Sequence, residues 1–135
     1  MYIPDKYNYQ PIKRIDTPEG RRYATPDGQK LPSVTTVLSA TTPIEKKQAL
    51  QEWRNRVGHK QAQAITTEAA GRGTRMHKWL ENYIKNGDTG IPGTNPYSIQ
   101  SHGMAHKIID HGLKPNIIDF WGVEVPLYYS GLYAG

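Results

Sequence analysis

The chain contains no cysteine, which removes disulfide staples, Cys-ligated zinc, iron–sulfur clusters and thiol nucleophiles together. The fold has to close through packing and hydrogen bonds alone. Long apolar runs are missing too. The longest are pairs and triples such as Ile108-Ile109 and Leu127-Tyr128-Tyr129, far short of the ~20 residues a membrane helix needs, so no membrane partner is expected. The opening residues Tyr2-Ile3-Pro4-Asp5 lack the charged-then-apolar order of a secretory signal, and a cytoplasmic, reducing compartment is the expectation. Apolar residues are scarce, 36% on a count that includes Tyr and about 39% when Gly replaces it, against the usual ~45–50%; the core should be thin. Negative charge is the minority sign. Twelve Asp and Glu face 17 Lys and Arg for a net +5, which favours a polyanionic partner. Scattering of the cations, rather than a juxtamembrane run, puts nucleic acid ahead of a membrane surface.

The length of 135 residues suits one domain. Residues 1–20, rich in Tyr, Pro and charge, predict an extended arm. Arg22 to Thr25, the turn Pro26-Asp27-Gly28 and Gln29 to Leu31 predict a small β-hairpin, since Pro presets the turn and Gly accepts a positive φ. Ser33 should cap a short helix through Val34, Val37 and Leu38. Thr42, Pro43 and Glu45 read as a capping box opening a helix to about Val57, with Gly58 as terminator. Ala62, Ile65, Ala69, Met76, Leu80 and Tyr83 form a helical stripe, expected to bend or break at Gly71-Arg72-Gly73, with Thr74 recapping and Gly87 closing it. A further helix should run from about Tyr97 to Asp110 with Gly112 as its cap. Alternation over Trp121, Val123, Val125 and Leu127 predicts a strand, and Ser130-Gly131 a turn into another starting at Leu132.

The densest chemistry lies in Gly73-Thr74-Arg75-Met76-His77-Lys78-Trp79-Leu80-Glu81. His77 and Glu81 are four apart and share a helix face, where an imidazole and a carboxylate can address one metal ion or one proton. Gly71 and Gly73 allow a close backbone approach, and Arg72, Arg75 and Lys78 place positive charge around the same turn, as nucleic-acid phosphates require. A plain surface His–Glu pair on a solvated basic helix has the same spacing.

The Gly-Thr-x-x-His-x-x-x-Glu pattern formed by Gly73, Thr74, His77 and Glu81 resembles the first motif of RecB-type nucleases in the PD-(D/E)xK superfamily. The phage and mitochondrial genome maintenance exonuclease-like branch is the nearest match. Tyr23 through Leu38 resembles the same branch, as do Glu124-Val125-Pro126-Leu127 and Gly131-Leu132-Tyr133-Ala134-Gly135. The resemblance spans most of residues 21–135 and implies an α/β, restriction-endonuclease-like fold: helices packed on an incomplete mixed β-sheet, preceded by a small hairpin. It implies a metal-dependent DNA exonuclease of phage-type replication, recombination or degradation, using Mg2+ or Mn2+. His77 then stands at a metal-binding histidine, Glu81 supports the same face, and Glu124 matches an acidic residue of the first core strand. The family pattern continues into a strand with an essential aspartate and an acidic-x-Lys strand. Residues 21–135 are therefore expected to be the N-terminal portion of the nuclease domain, inactive alone and in need of a complementing C-terminal fragment. A non-catalytic DNA-binding remnant is the alternative.

Two further constellations stand apart. His102 and His106 have the four-residue spacing of a helical metal site, with His111 nearby, although Gly103 weakens the helix and packing against a sheet is the simpler expectation. Tyr2, Tyr7 and Tyr9, interleaved with Lys6, Lys13 and Arg14, are placed to stack on unpaired bases or to lie on the domain.

Overall fold

Thr25 organises the first turn. In the computed structural model, which describes all 135 residues, its hydroxyl accepts from the Gln29 N–H at 3.1 Å and is bonded to Asp27, whose other oxygen accepts from Gln29 Nε2 at 2.6 Å. Those two bonds, Thr25 first and Gln29 second, hold the Asp27 carboxyl below its ordinary range. Gly28 takes the positive φ of 86° that the tight loop demands. The loop joins β2 (Gly20–Ala24) to β3 (Lys30–Pro32), with Tyr23 opposite Leu31. On the other side β2 pairs with β1 (Lys13–Thr17), Lys13 opposite Ala24. The hairpin expected from sequence is thus part of a three-stranded antiparallel sheet, and residues 13–17 are a strand rather than extended arm.

These strands belong to the smaller of two compact units, Tyr7–Trp53 with Glu124–Gly135. Here Ser33 caps α1 (Val34–Thr41), its side chain accepting from the Thr36 N–H. The capping box expected at Thr42 is not formed: the Thr42 hydroxyl donates back to the Leu38 carbonyl at 2.6 Å and closes α1, leaving Pro43 to start α2 (Ile44–Val57). Neither helix buries a residue fully. The expected strand from Trp121 to Leu127 is absent, because Glu124 has a left-handed φ of 53° that breaks extended backbone. What forms instead is a short hairpin, β4 (Tyr128–Tyr129) and β5 (Tyr133–Ala134), turning at Ser130-Gly131. Gln29 ties the two turns together, its Nε2 donating to Ser130 Oγ and its Oε1 accepting from the Gly131 N–H. Leu31, Ser33, Thr25 and Ala134 are the buried residues of this unit.

The other unit comprises Met1–Lys6 and Arg54–Val123. Its main element is α3 (His59–Asn86), a 28-residue helix that runs unbroken through Gly71-Arg72-Gly73 for about 42 Å at 1.5 Å per residue. The expected break is not made because Arg75 spans it, reaching back to Glu68 at 3.4 Å and across to Ser101 on α4. The Thr74 hydroxyl, bonded to the Ala70 carbonyl, is used inside the helix and does not recap it. Gly87 ends α3 in the left-handed conformation, its N–H on the Tyr83 carbonyl. Asn95 then caps α4 (Pro96–Ile108) through the N–H groups of Tyr97 and Ser98. Ser101, Ala105 and Ile109, one turn apart, are all buried and form the packed face of this segment. Gly112 does not cap the helix, which continues through a π-helical turn, Ile109–Leu113, closed by the Lys114 N–H on the Ile109 carbonyl five residues back. Phe120 then pairs with Tyr2 in a single parallel bridge, so the first residues are tied down rather than free.

The expected mixed α/β content is present, 53% helical and 15% strand. Both sheets are small and antiparallel, and parallel pairing is limited to the bridges Tyr2–Phe120 and Ser33–Ala134.

Candidate functional site

His77 and Glu81 lie one turn apart on α3, as their spacing requires, yet the carboxylate is engaged elsewhere. Lys85 donates to Glu81 Oε1 at 2.6 Å and Lys78 to Oε2 at 3.2 Å. Those two bonds, Lys85 the larger, keep the Glu81 carboxyl below its ordinary range, so it is a neutralised anion rather than a proton acceptor. His77 is exposed and hydrogen-bonds to nothing in the chain. An imidazole with no orienting partner has no fixed tautomer, which general acid–base catalysis needs.

The three cations assigned to phosphate contacts have separate roles. Arg75 is committed to the helix pair: its Nε donates to the buried Ser101 hydroxyl at 3.2 Å, its Nη2 reaches Glu68, and the guanidinium sits 5.7 Å from the Tyr97 ring centre. Lys78 is paired with Glu81 but 65% exposed. Arg72 makes no ion pair. Beside it the helix surface is open, since a methyl group on Gly73 would meet nothing within 4 Å.

Glu124 is exposed and belongs to the other unit, where its left-handed backbone shapes a bend. It is not on a strand face as sequence alternation implied. No group of three or more His, Asp or Glu side chains is gathered to hold a metal ion. Mg2+ and Mn2+ require several oxygen ligands, and the residues around His77 do not fit either: one imidazole and one lysine-bound carboxylate fall short.

The most concentrated polar cluster is elsewhere. Thr89, only 3% exposed, lies in the loop after α3, and its Oγ1 is 2.9 Å from His102 Nε2 and 3.1 Å from His106 Nε2. His102 Nε2 is also 3.0 Å from the Gly90 carbonyl. Asn82 Nδ2 holds the Thr89 carbonyl at 3.3 Å. Trp79 stands edge-on to His102, ring centres 5.1 Å apart, with its own indole N–H buried and unbonded. The two histidines therefore pack against a loop and an indole, not a sheet. Sequence spacing singled out the histidines but not Thr89, Asn82 or Trp79, whose roles depend on contacts far along the chain.

A cleft of about 380 Å³ near the end of α3 is lined by Met1, Tyr2, Tyr83, Ile84, Lys85 and Phe120. It holds no carboxylate and so offers no acid–base pair. No family model, curated protein or solved structure matches this chain.

Proposed function

We propose that the chain is the DNA-holding N-terminal part of a metal-dependent DNA exonuclease of the PD-(D/E)xK type, serving phage-type DNA replication, recombination or degradation. The observation that carries the reading is the surface of α3, where Arg72, His77 and Lys78 follow each other along a helix left open at Gly73. The helix bears five Lys and Arg against two Glu. Phosphates can approach such a surface closely, and the cations that meet them release condensed counterions. Hydrolysis itself is not assigned to these residues, because the oxygen ligands of Mg2+ or Mn2+ are not among them. A complementing segment rich in carboxylates would supply them.

Titrating labelled single-stranded and duplex DNA at two salt concentrations tests the reading. Affinity should fall as a power of salt, and Arg72→Ala should lower the slope by about 1. The chain alone should not cleave DNA with either ion. No binding at low salt refutes the proposal, and strong cleavage abolished by His77→Ala would place a working active site where none is read. The non-catalytic remnant shares the DNA binding and is favoured by the lysine-bound state of Glu81. Ion-dependent cleavage on adding a complementing segment separates the two.

A further inference from the structure

We infer that Thr89, Gly90, His102 and His106 form a binding site for a single Zn2+ ion, independent of the DNA-holding surface. Four potential ligand atoms converge: two imidazole Nε2 atoms, one hydroxyl and one carbonyl. Their measured separations are 2.9 Å and 3.1 Å from Thr89 Oγ1 to the two imidazoles, 3.0 Å from His102 Nε2 to Gly90 O, and 3.2 Å from Thr89 Oγ1 to Gly90 O. Ligands at ~2.0–2.1 Å from a tetrahedral zinc ion are about 3.3 Å from one another. Seating an ion at the centre therefore needs the four atoms to spread by only a few tenths of an ångström.

The proton count points the same way. Each neutral imidazole has one N–H, the hydroxyl has one hydrogen and the carbonyl has none. Four short contacts thus share at most three protons, and one proton has to serve two contacts. A cation replaces those protons and meets a lone pair from every atom. Asp88 adds negative charge at the rim, its Oδ1 accepting from the Gly90 N–H at 3.1 Å. Imidazole nitrogen selects a zinc-class ion over Mg2+. Bound there, the ion clips the loop after α3 to α4, joining residues 89 and 90 to 102 and 106.

The test is calorimetric titration of Zn2+ into the metal-free full chain, with Co2+ absorption as a second probe. One ion per chain is expected, with intense visible Co2+ bands of tetrahedral type and a thermal midpoint that rises with Zn2+ and returns on chelation. His102→Gln and His106→Gln keep a side chain able to bond Thr89, so folding is retained. Each should weaken Zn2+ by more than the ~10–100-fold typical of losing an outer partner. His59→Gln and His111→Gln should leave it unchanged. The inference fails if the chain takes up no stoichiometric Zn2+ and its midpoint does not move. It fails equally if both His102→Gln and His106→Gln bind as the parent does.

Discussion

Replacing Arg75 by Ala should cost stability before it costs DNA binding. Three contacts are lost together: the charged hydrogen bond to Ser101, the ion pair with Glu68 and the stacking on Tyr97. A hydrogen bond from a charged donor contributes ~1.5–3 kcal/mol, a cation–π contact ~0.5–1 and an exposed ion pair ~0.2–1. Arg75 is one-third exposed, which places each at its lower end, and Ser101 keeps its bond to the Tyr97 carbonyl at 2.9 Å, so no buried hydroxyl is orphaned. The expected loss is about 2 kcal/mol. For a chain of this size that lowers the thermal midpoint by roughly 6–8 °C. Thermal and urea unfolding followed by circular dichroism read it directly. Arg75→Lys should recover only the ion pair, since an ammonium lacks the planar fork. A midpoint within about 1 °C of the parent, with DNA affinity reduced as much as in Arg72→Ala, would show that Arg75 is a phosphate contact and not a helix staple.

Gly73→Ala should stabilise the helix by ~0.5–1 kcal/mol, because a helical interior favours Ala and the new methyl meets nothing. The same variant should weaken duplex binding; unchanged affinity would remove the close phosphate approach from the proposal. Glu124→Gly should raise stability by about 1 kcal/mol by relieving the left-handed φ, and a loss on urea unfolding would contradict this. Glu81 has a lowered pKa, caused by Lys85 and Lys78, so its contribution is present above its unfolded pKa and disappears as pH falls through the folded one. Glu81→Gln should therefore lower the thermal midpoint at neutral pH and leave it unchanged in strong acid; an equal deficit at both would refute the assignment.

Local signals were legible where the partner lies within a few residues. Ser33 caps α1 and Gly87 closes α3 as read, because each needs only its own turn. Thr42 was misread because a hydroxyl there has two carbonyl and amide neighbourhoods to choose from, and the Leu38 carbonyl wins. The supposed break at Gly71-Arg72-Gly73 failed for a tertiary reason, the bond from Arg75 to a residue 26 positions away. In the same way, His77 and Glu81 do share a helix face, but periodicity says nothing of Lys85 and Lys78 closing over the carboxylate. The alternation from Trp121 to Leu127 carried no warning of the backbone reversal at Glu124. Thr89 gave no signal at all, since its partners lie 13 and 17 residues on.

The π-helical turn at Ile109–Leu113 behaves as one surplus residue absorbed in an otherwise regular helix. Deleting a single residue there would restore α-helical spacing without a gap in hydrogen bonding. Everything downstream would then swing by about 100° and draw back by about 1.5 Å. Phe120, which now meets Met1 and Ile3 through its backbone, would be carried out of register with them. The bulge is thus a length adjuster: it sets the phase at which the chain arrives at residue 120, and a lineage that lost it would have to gain a compensating residue before Phe120 to keep the N-terminus tethered.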